Sequence, residues 1–143
     1  MSKRIFVDAN VINDIYDETR RFHETSYQCL VYCLEHNIKL VTSCDIVTTV
    51  YYITSKSSDR KKALTALESV NDIFETPPFS NQQLTEAITL MQNDSDYKDL
   101  EDTIQYVIAK QSACDTLLTN DTSFVAKDME VLSSDRFIQG RSD

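Results

Sequence analysis

Arg4-Ile-Phe-Val-Asp-Ala-Asn-Val-Ile12 decides how the rest of the chain is read. Ile5, Phe6 and Val7 make a short continuous apolar run, the pattern of a strand buried on both faces. The run stops at Asp8. Val11, Ile12 and Ile15 then recur at helical spacing, which predicts a helix from Asn10 to about Thr19. The same strand-then-helix alternation continues along the chain. Residues 24–36 predict a helix with Tyr27, Leu30, Val31 and Leu34 on one face, and Lys39-Leu-Val-Thr42 a second strand. Ser43 stands where a cap belongs, before a helix carrying Ile46, Val47, Val50 and Ile53. Asp59 does the same for a helix through Leu64, Leu67, Val70 and Ile73. A short strand at Phe74 to Thr76 is stopped by Pro77-Pro78. Residues 81–92 and about 99–113 predict helices, and Thr116 to Thr119 and Glu130 to Leu132 predict strands. Strands alternating with helices imply an α/β fold, a parallel sheet covered on both faces, with ligands outside the carboxyl ends of the strands.

Composition narrows the function. The 143 residues contain 41% apolar and 26% charged side chains, and no linker, repeat or low-complexity stretch interrupts them, so residues 1–143 read as one domain. The single Gly, at position 140, excludes Gly-rich phosphate loops and dinucleotide fingerprints. No apolar run reaches the roughly 18 residues of a membrane span. Asp8 interrupts the place where an export signal would be apolar, so a cytoplasmic protein with no membrane partner is expected. The net charge of −9 is wrong for coating nucleic acid by bulk attraction. It is compatible with a metal-dependent nuclease, because bound cations reverse the local field. Four cysteines without a Cys-x-x-Cys pair read as reduced thiols.

The informative acids fall at one predicted edge of the sheet. Asp8 ends the first strand, and Asp121 lies just past the strand ending at Thr119. Asp102 sits in the first turn of the helix from 99, within a run of five acids at positions 94, 96, 99, 101 and 102. Capping and the helix dipole explain single acids at such places. Three converging carboxylates repel one another and are better explained by a bound cation, for which hard oxygen ligands suit Mg²⁺ or Mn²⁺. Asp94 and Asp96 read as solvated turn residues.

At this point the sequence resembles a known family. Phe6-Val-Asp-Ala-Asn-Val-Ile12 resembles the opening Asp-x-Asn-Val motif of PIN-domain ribonucleases. Asp99-Leu-Glu-Asp-Thr-Ile-Gln105 is similar to their later acidic helix start, and Asp115-Thr-Leu-Leu-Thr-Asn-Asp-Thr-Ser-Phe124 to their last strand and Thr-x-Asp turn. Leu40 to Ser55, with Tyr51-Tyr-Ile53, resembles a strand–helix unit of the VapC-like toxin branch. The motifs stand in the expected order over nearly the whole chain. The resemblance implies a three-layer α/β/α sandwich with a central parallel sheet. It implies Mg²⁺- or Mn²⁺-dependent hydrolysis of RNA by the toxin of a type II toxin–antitoxin pair, held by an antitoxin protein and commonly homodimeric. It implies products with 5′-phosphate and 3′-hydroxyl ends. Carried over by motif, Asp8 and Asp102 are metal ligands, Asp121 completes the catalytic site, Asn10 orients Asp8 or the adjacent turn, and Glu101 is an outer ligand or supporting group.

One position departs from the family pattern. Many members have a Glu about six residues after the Ser that opens the third helix, and that count from Ser43 reaches Thr49. Asp45 is the nearest acid, one turn earlier. The departure motivates an alternative function, a weak or inactive PIN-fold module that binds RNA or a protein partner. A phosphoacceptor domain is disfavoured by the lone Asp8, and an Asp-x-Asp phosphatase by Asn10. Neither His23 nor His36 sits in a nucleophile–base pattern. Lys56, Arg60, Lys61 and Lys62 form the one concentrated basic run, a candidate RNA contact or a solvated helix start. Cys29, Cys33 and His36 share helical spacing, but zinc wants four ligands and a buried helix face is the better reading. The tyrosines at 16, 27, 32, 51 and 52 are read as core or subunit packing.

Overall fold

The apolar run at residues 5–7 becomes the middle of a sheet. A computed structural model describes residues 4–141. Strand β1 (Arg4–Val7) leads to helices α1 (Ala9–Tyr16) and α2 (His23–Glu35), strand β2 (Lys39–Val41) and helices α3 (Cys44–Ser57) and α4 (Arg60–Ile73). Strand β3 (Phe74–Glu75), helices α5 (Asn81–Asn93) and α6 (Leu100–Gln111), strands β4 (Thr116–Leu118) and β5 (Glu130–Leu132) and helix α7 (Ser134–Gln139) follow. All strands are parallel, in the order β3-β2-β1-β4-β5. Ile5 is level with Leu40 on one side and with Thr116 on the other. Phe6, Val7, Val41, Leu117 and Leu118 are buried, as strands covered on both faces require.

The order reverses after β3. The chain runs outward from β1 through β2 to β3, then returns past them to β4 on the other side of β1. Right-handed crossovers therefore place α1–α4 on one face and α5–α6 on the other. The packing agrees: α1 meets α2 and α3, α3 meets α4, and α5 pairs with α6. The result is the three-layer sandwich. Its switch point lies between β1 and β4, where the carboxyl ends of adjacent strands diverge and a crevice opens.

Several expectations need correction. Helix α1 ends at Tyr16 rather than Thr19, because the Asp17 carboxylate accepts from Thr19 N and Oγ1 and closes a tight turn. Helix α2 buries Ser26, Cys29, Leu30 and Cys33, whereas Tyr27 and Leu34 are exposed. Its apolar face is thus shifted toward the cysteines, which act as small core residues. Cys29 Sγ donates to Ser134 O, and His36 is exposed and stacks on Tyr32, so the three do not converge as ligands. In α4 the core side chains are Ala63, Ala66 and Val70, and Leu64 is exposed. Helix α7 was not foreseen. It packs on α2 through fully buried Phe137, which meets Tyr32 edge-on.

With glycine so scarce, helix ends use other residues in the left-handed region. Asn37 (φ 56°) follows α2 and Ala113 (φ 60°) follows α6. Behind them Ile38 N reaches Cys33 O and Cys114 N reaches Ala109 O, satisfying carbonyls that a helix end leaves open.

Candidate active site

Asp8 is both the end of β1 and the cap of α1. Its Oδ1 accepts from Ala9 N at 2.7 Å, so half of the carboxylate serves a helix N-terminus. Its Oδ2 accepts from Thr119 Oγ1 at 2.8 Å and from Asn10 Nδ2 at 3.3 Å. Thr119 follows β4, so these bonds tie the two diverging strands together. Asn10 also donates to Thr119 Oγ1 and accepts from Asn120 N at 3.0 Å. Asp8 is buried, and burial pushes its carboxyl above the ordinary value against the lowering effect of these bonds, with Asp121 and Asp45 adding repulsion.

Asp102 approaches from α6. Asp99 caps this helix, accepting from Asp102 N at 2.9 Å, so capping falls to Asp99 and the Asp102 carboxylate is free of that duty. Partial burial, then the charges of Asp99, Asp8, Asp121 and Glu101, push the Asp102 carboxyl up to about 7. Glu101 is raised by burial and by Asp45, Asp99 and Asp8. Asp121 is exposed and turns onto Ser123, accepting from its N and Oγ. Asp8, Asp102 and Asp121, from three distant stretches, therefore share one field at the carboxyl edge of the sheet. They are not drawn to coordination distance: among the described residues no three Asp, Glu, His or Cys side chains stand close enough to hold an ion. Asp8 and Asp121 rest instead on neutral donors.

A cleft of about 720 Å³ lies over this edge, lined among others by Asp99, Glu101, Asp102, Asp121, Lys98 and Lys127. Lys127 bonds Asp94 at 2.9 Å and Asp96 at 2.7 Å, so the turn acids are fastened rather than merely solvated. The basic run lies elsewhere. Lys61 and Lys62 line a separate cavity with Tyr16 and Ser69, Lys56 lies over the Tyr52 ring, and none of Lys56, Arg60, Lys61 or Lys62 lines the acidic cleft. Thr49 is on α3 with its hydroxyl turned back to Asp45 O.

Sequence reasoning passed over the layer beneath the acids. Asn120 joins Asn10 to Asp14: its Nδ2 donates to Asp14 Oδ2 at 2.9 Å, and its Oδ1 accepts from Ser134 N and Oγ. Buried Asp14 also takes Arg20 Nε at 2.8 Å and Ser26 Oγ at 3.3 Å. The signal was an acid on the buried face of α1, at a helical step from Val11.

The donor set fits a hard divalent cation. Every candidate is a carboxylate oxygen, and burial with like charge raises the proton affinity of Asp8, Asp102 and Glu101, the strain a dication relieves.

Known proteins share this fold. A family profile described as PIN domain matches residues 4–123. Ribonuclease VapC1 of Aquifex aeolicus (strain VF5) is 46% identical over 138 residues, 96% of this chain and 95% of that protein. The crystal structure of VapBC2 from Rickettsia felis bound to a DNA fragment from their promoter matches with a TM-score of 0.70 at 16% identity, covering 91% of this chain and 98% of that one. Mycobacterium tuberculosis VapC20, a Sarcin-Ricin loop cleaving toxin, gives 0.65 at 13% identity, covering 85% and 97%. A toxin–antitoxin complex from Klebsiella pneumoniae gives 0.67 at 20% identity, covering 91% and 97%. At such identities the structural matches speak to fold.

Proposed function

The chain belongs to the PIN domain family, and on that premise we propose that it is a divalent-metal-dependent endoribonuclease, the toxin of a toxin–antitoxin pair. The observation that carries the reading is the meeting of Asp8, Asp102 and Asp121 in one field at the switch point, with Asp102 raised to about 7 by burial and like charge. The 46% identity to a ribonuclease supports the substrate class.

Asp8, Asp102 and Asp121 would hold Mg²⁺ or Mn²⁺, with Glu101 as an outer support. When bound, such an ion lowers the pKa of water and offsets charge on phosphoryl oxygens. The chain's own residues do the positioning. Thr119 and Asn10 fix the Asp8 carboxylate through Oδ2, and the cap to Ala9 N fixes Oδ1, so its orientation costs no entropy at the moment of use. Asp99 takes the helix N-terminus and leaves Asp102 facing the cleft. Asp102, with its carboxyl raised to about 7, would release its proton to solvent as a cation took the proton's place. Lys98, on the cleft wall, makes no ion pair among the described residues and suits an RNA phosphate.

An antitoxin partner and a homodimer belong to the same proposal. Tyr52 on α3 and Leu64 on α4 are exposed on helices that pack together, which suits a second copy. A cytoplasmic site of action is part of it too; no described helix is long and apolar enough to cross a membrane. Thr49 favours the second reading, a PIN-fold module that binds RNA or a protein without cleaving. End-group analysis separates the two. Incubation of total RNA with Mg²⁺ or Mn²⁺ is expected to give fragments with 5′-phosphate and 3′-hydroxyl ends, suppressed by EDTA. Intact RNA under all conditions favours the binding module, and cyclic phosphate ends contradict metal-assisted water attack.

A further inference from the structure

Resting on the cation-site reading above, we propose that Asp45, with the Gln105 amide beside it, is the fourth acidic arm of the site and replaces the carboxylate that Thr49 does not supply. Thr49 brings only a hydroxyl, and that hydroxyl donates to Asp45 O at 3.3 Å. Asp45 is four residues earlier on α3, so its side chain projects from the same stripe of the helix. It is not the cap of α3: Ser43 holds that position, and the Ser43 hydroxyl donates to Asp45 Oδ1. The other oxygen, Oδ2, faces α6, where Gln105 Nε2 lies at 3.5 Å.

Gln105 supplies the independent observation. It stands one turn after Asp102 on α6 and is 1% exposed. Its Oε1 has no hydrogen-bond partner, a condition shared among the described side chains only by Asn13 Oδ1. Turning the amide over would set Oε1 against the Asp45 carboxylate, two acceptors together, so the donor faces Asp45 and the acceptor is the free atom. A buried amide oxygen without a partner is destabilising, because it has left water and regained no hydrogen bond. Native proteins retain such an atom where something else satisfies it. Here the amide stands against the Asp45 carboxylate, one turn from Asp102, and the ligand that matches carboxylates and an amide oxygen together is a divalent cation or water held by one.

The test is Mn²⁺ binding by calorimetry, with no RNA present, on wild type, Asp8→Asn, Asp45→Asn, Gln105→Leu, and Asp45→Asn combined with Thr49→Glu. Asp45→Asn is expected to weaken Mn²⁺ about tenfold and Gln105→Leu severalfold. Thr49→Glu is expected to restore most of the loss in Asp45→Asn, because it returns a carboxylate to the same stripe. Melting without metal checks that each variant folds. If Asp45→Asn binds Mn²⁺ like wild type while Asp8→Asn does not, the proposal is wrong and the cation-site reading stands. If Asp45→Asn lowers only the melting point, Asp45 is a helix-start residue and the proposal is equally wrong. If wild type fails to bind Mn²⁺, or Asp8→Asn binds as well, the cation-site reading itself falls and takes this proposal with it.

Discussion

Asp102 shows how a single carboxyl links the fold to its chemistry. It has no capping bond to accept, because Asp99 performs that task, and burial, then the charges of four other acids, raise its carboxyl to about 7. A carboxyl raised in the folded state binds protons better there than when unfolded. Its contribution is therefore present at acid pH and is lost as pH rises from about 4 to about 7. Without metal, the melting point should fall over that window. Asp102→Asn should flatten the fall and raise the metal-free melting point at pH 8 by about 2–5 °C. The opposing loss of a favourable charge at a helix start is smaller, about 0.3–1 kcal/mol. Thermal melts with EDTA at pH 5 and pH 8 check this; a variant less stable than wild type at pH 8 would mean that Asp102 is not crowded by like charge. Asp14 shows the opposite economy. It is buried, yet takes Arg20, Asn120 and Ser26 together. Asp14→Ala should cost about 3 kcal/mol in urea unfolding, because Arg20 and Asn120 both lose a buried acceptor.

Helices and strands were legible where one physical signal dominated. The buried run at residues 5–7, the Asp59 cap and the strand at Thr116 each had a local cause that tertiary packing did not override. The third helix formed despite its β-branched residues, because Ile46 and Val50 are buried against the core. The buried face of α2 is not the one that its larger side chains Tyr27 and Leu34 suggest, because the core accepts the smaller Ser26, Cys29 and Cys33. Helix α7 has only Phe137 and Ile138 to announce it. Of the site, the three acids at predicted element ends were visible in the sequence. The roles of Thr119, which holds Asp8, and of the Asn120 and Gln105 amides, which bond Asp14 and Asp45, were not, since polar residues at such distances have no periodic signature. The helix ends carry their own prediction. Ala113 holds a left-handed conformation that costs an L-residue about 1–2 kcal/mol, against a smaller entropic cost for glycine in the unfolded chain. Ala113→Gly should stabilise the protein by about 0.5–1 kcal/mol in urea titration, and a loss of stability would show that the Ala113 methyl is needed for packing.

Over the whole molecule, topology gathers the acids. The order β3-β2-β1-β4-β5 sets the first strand beside one that begins more than a hundred residues later, and the crevice between them receives Asp8, Asp121 and the start of α6. A net charge of −9 would repel RNA from such a centre, and a bound dication, with Lys98 on the wall, would reverse that field locally. This is why the same acids that make the protein unlike a nucleic-acid coat suit it to cut RNA. The measurement that tests this most directly is cleavage of total RNA by wild type and Asp8→Asn, each with Mn²⁺ and with EDTA. Asparagine keeps the cap to Ala9 N, so the variant should fold and melt like wild type. The expected result is cleavage by wild type that requires Mn²⁺ and falls at least about 100-fold in Asp8→Asn. Equal cleavage by a folded Asp8→Asn, or cleavage by wild type undiminished in EDTA, would contradict a cation site at the β1–β4 edge.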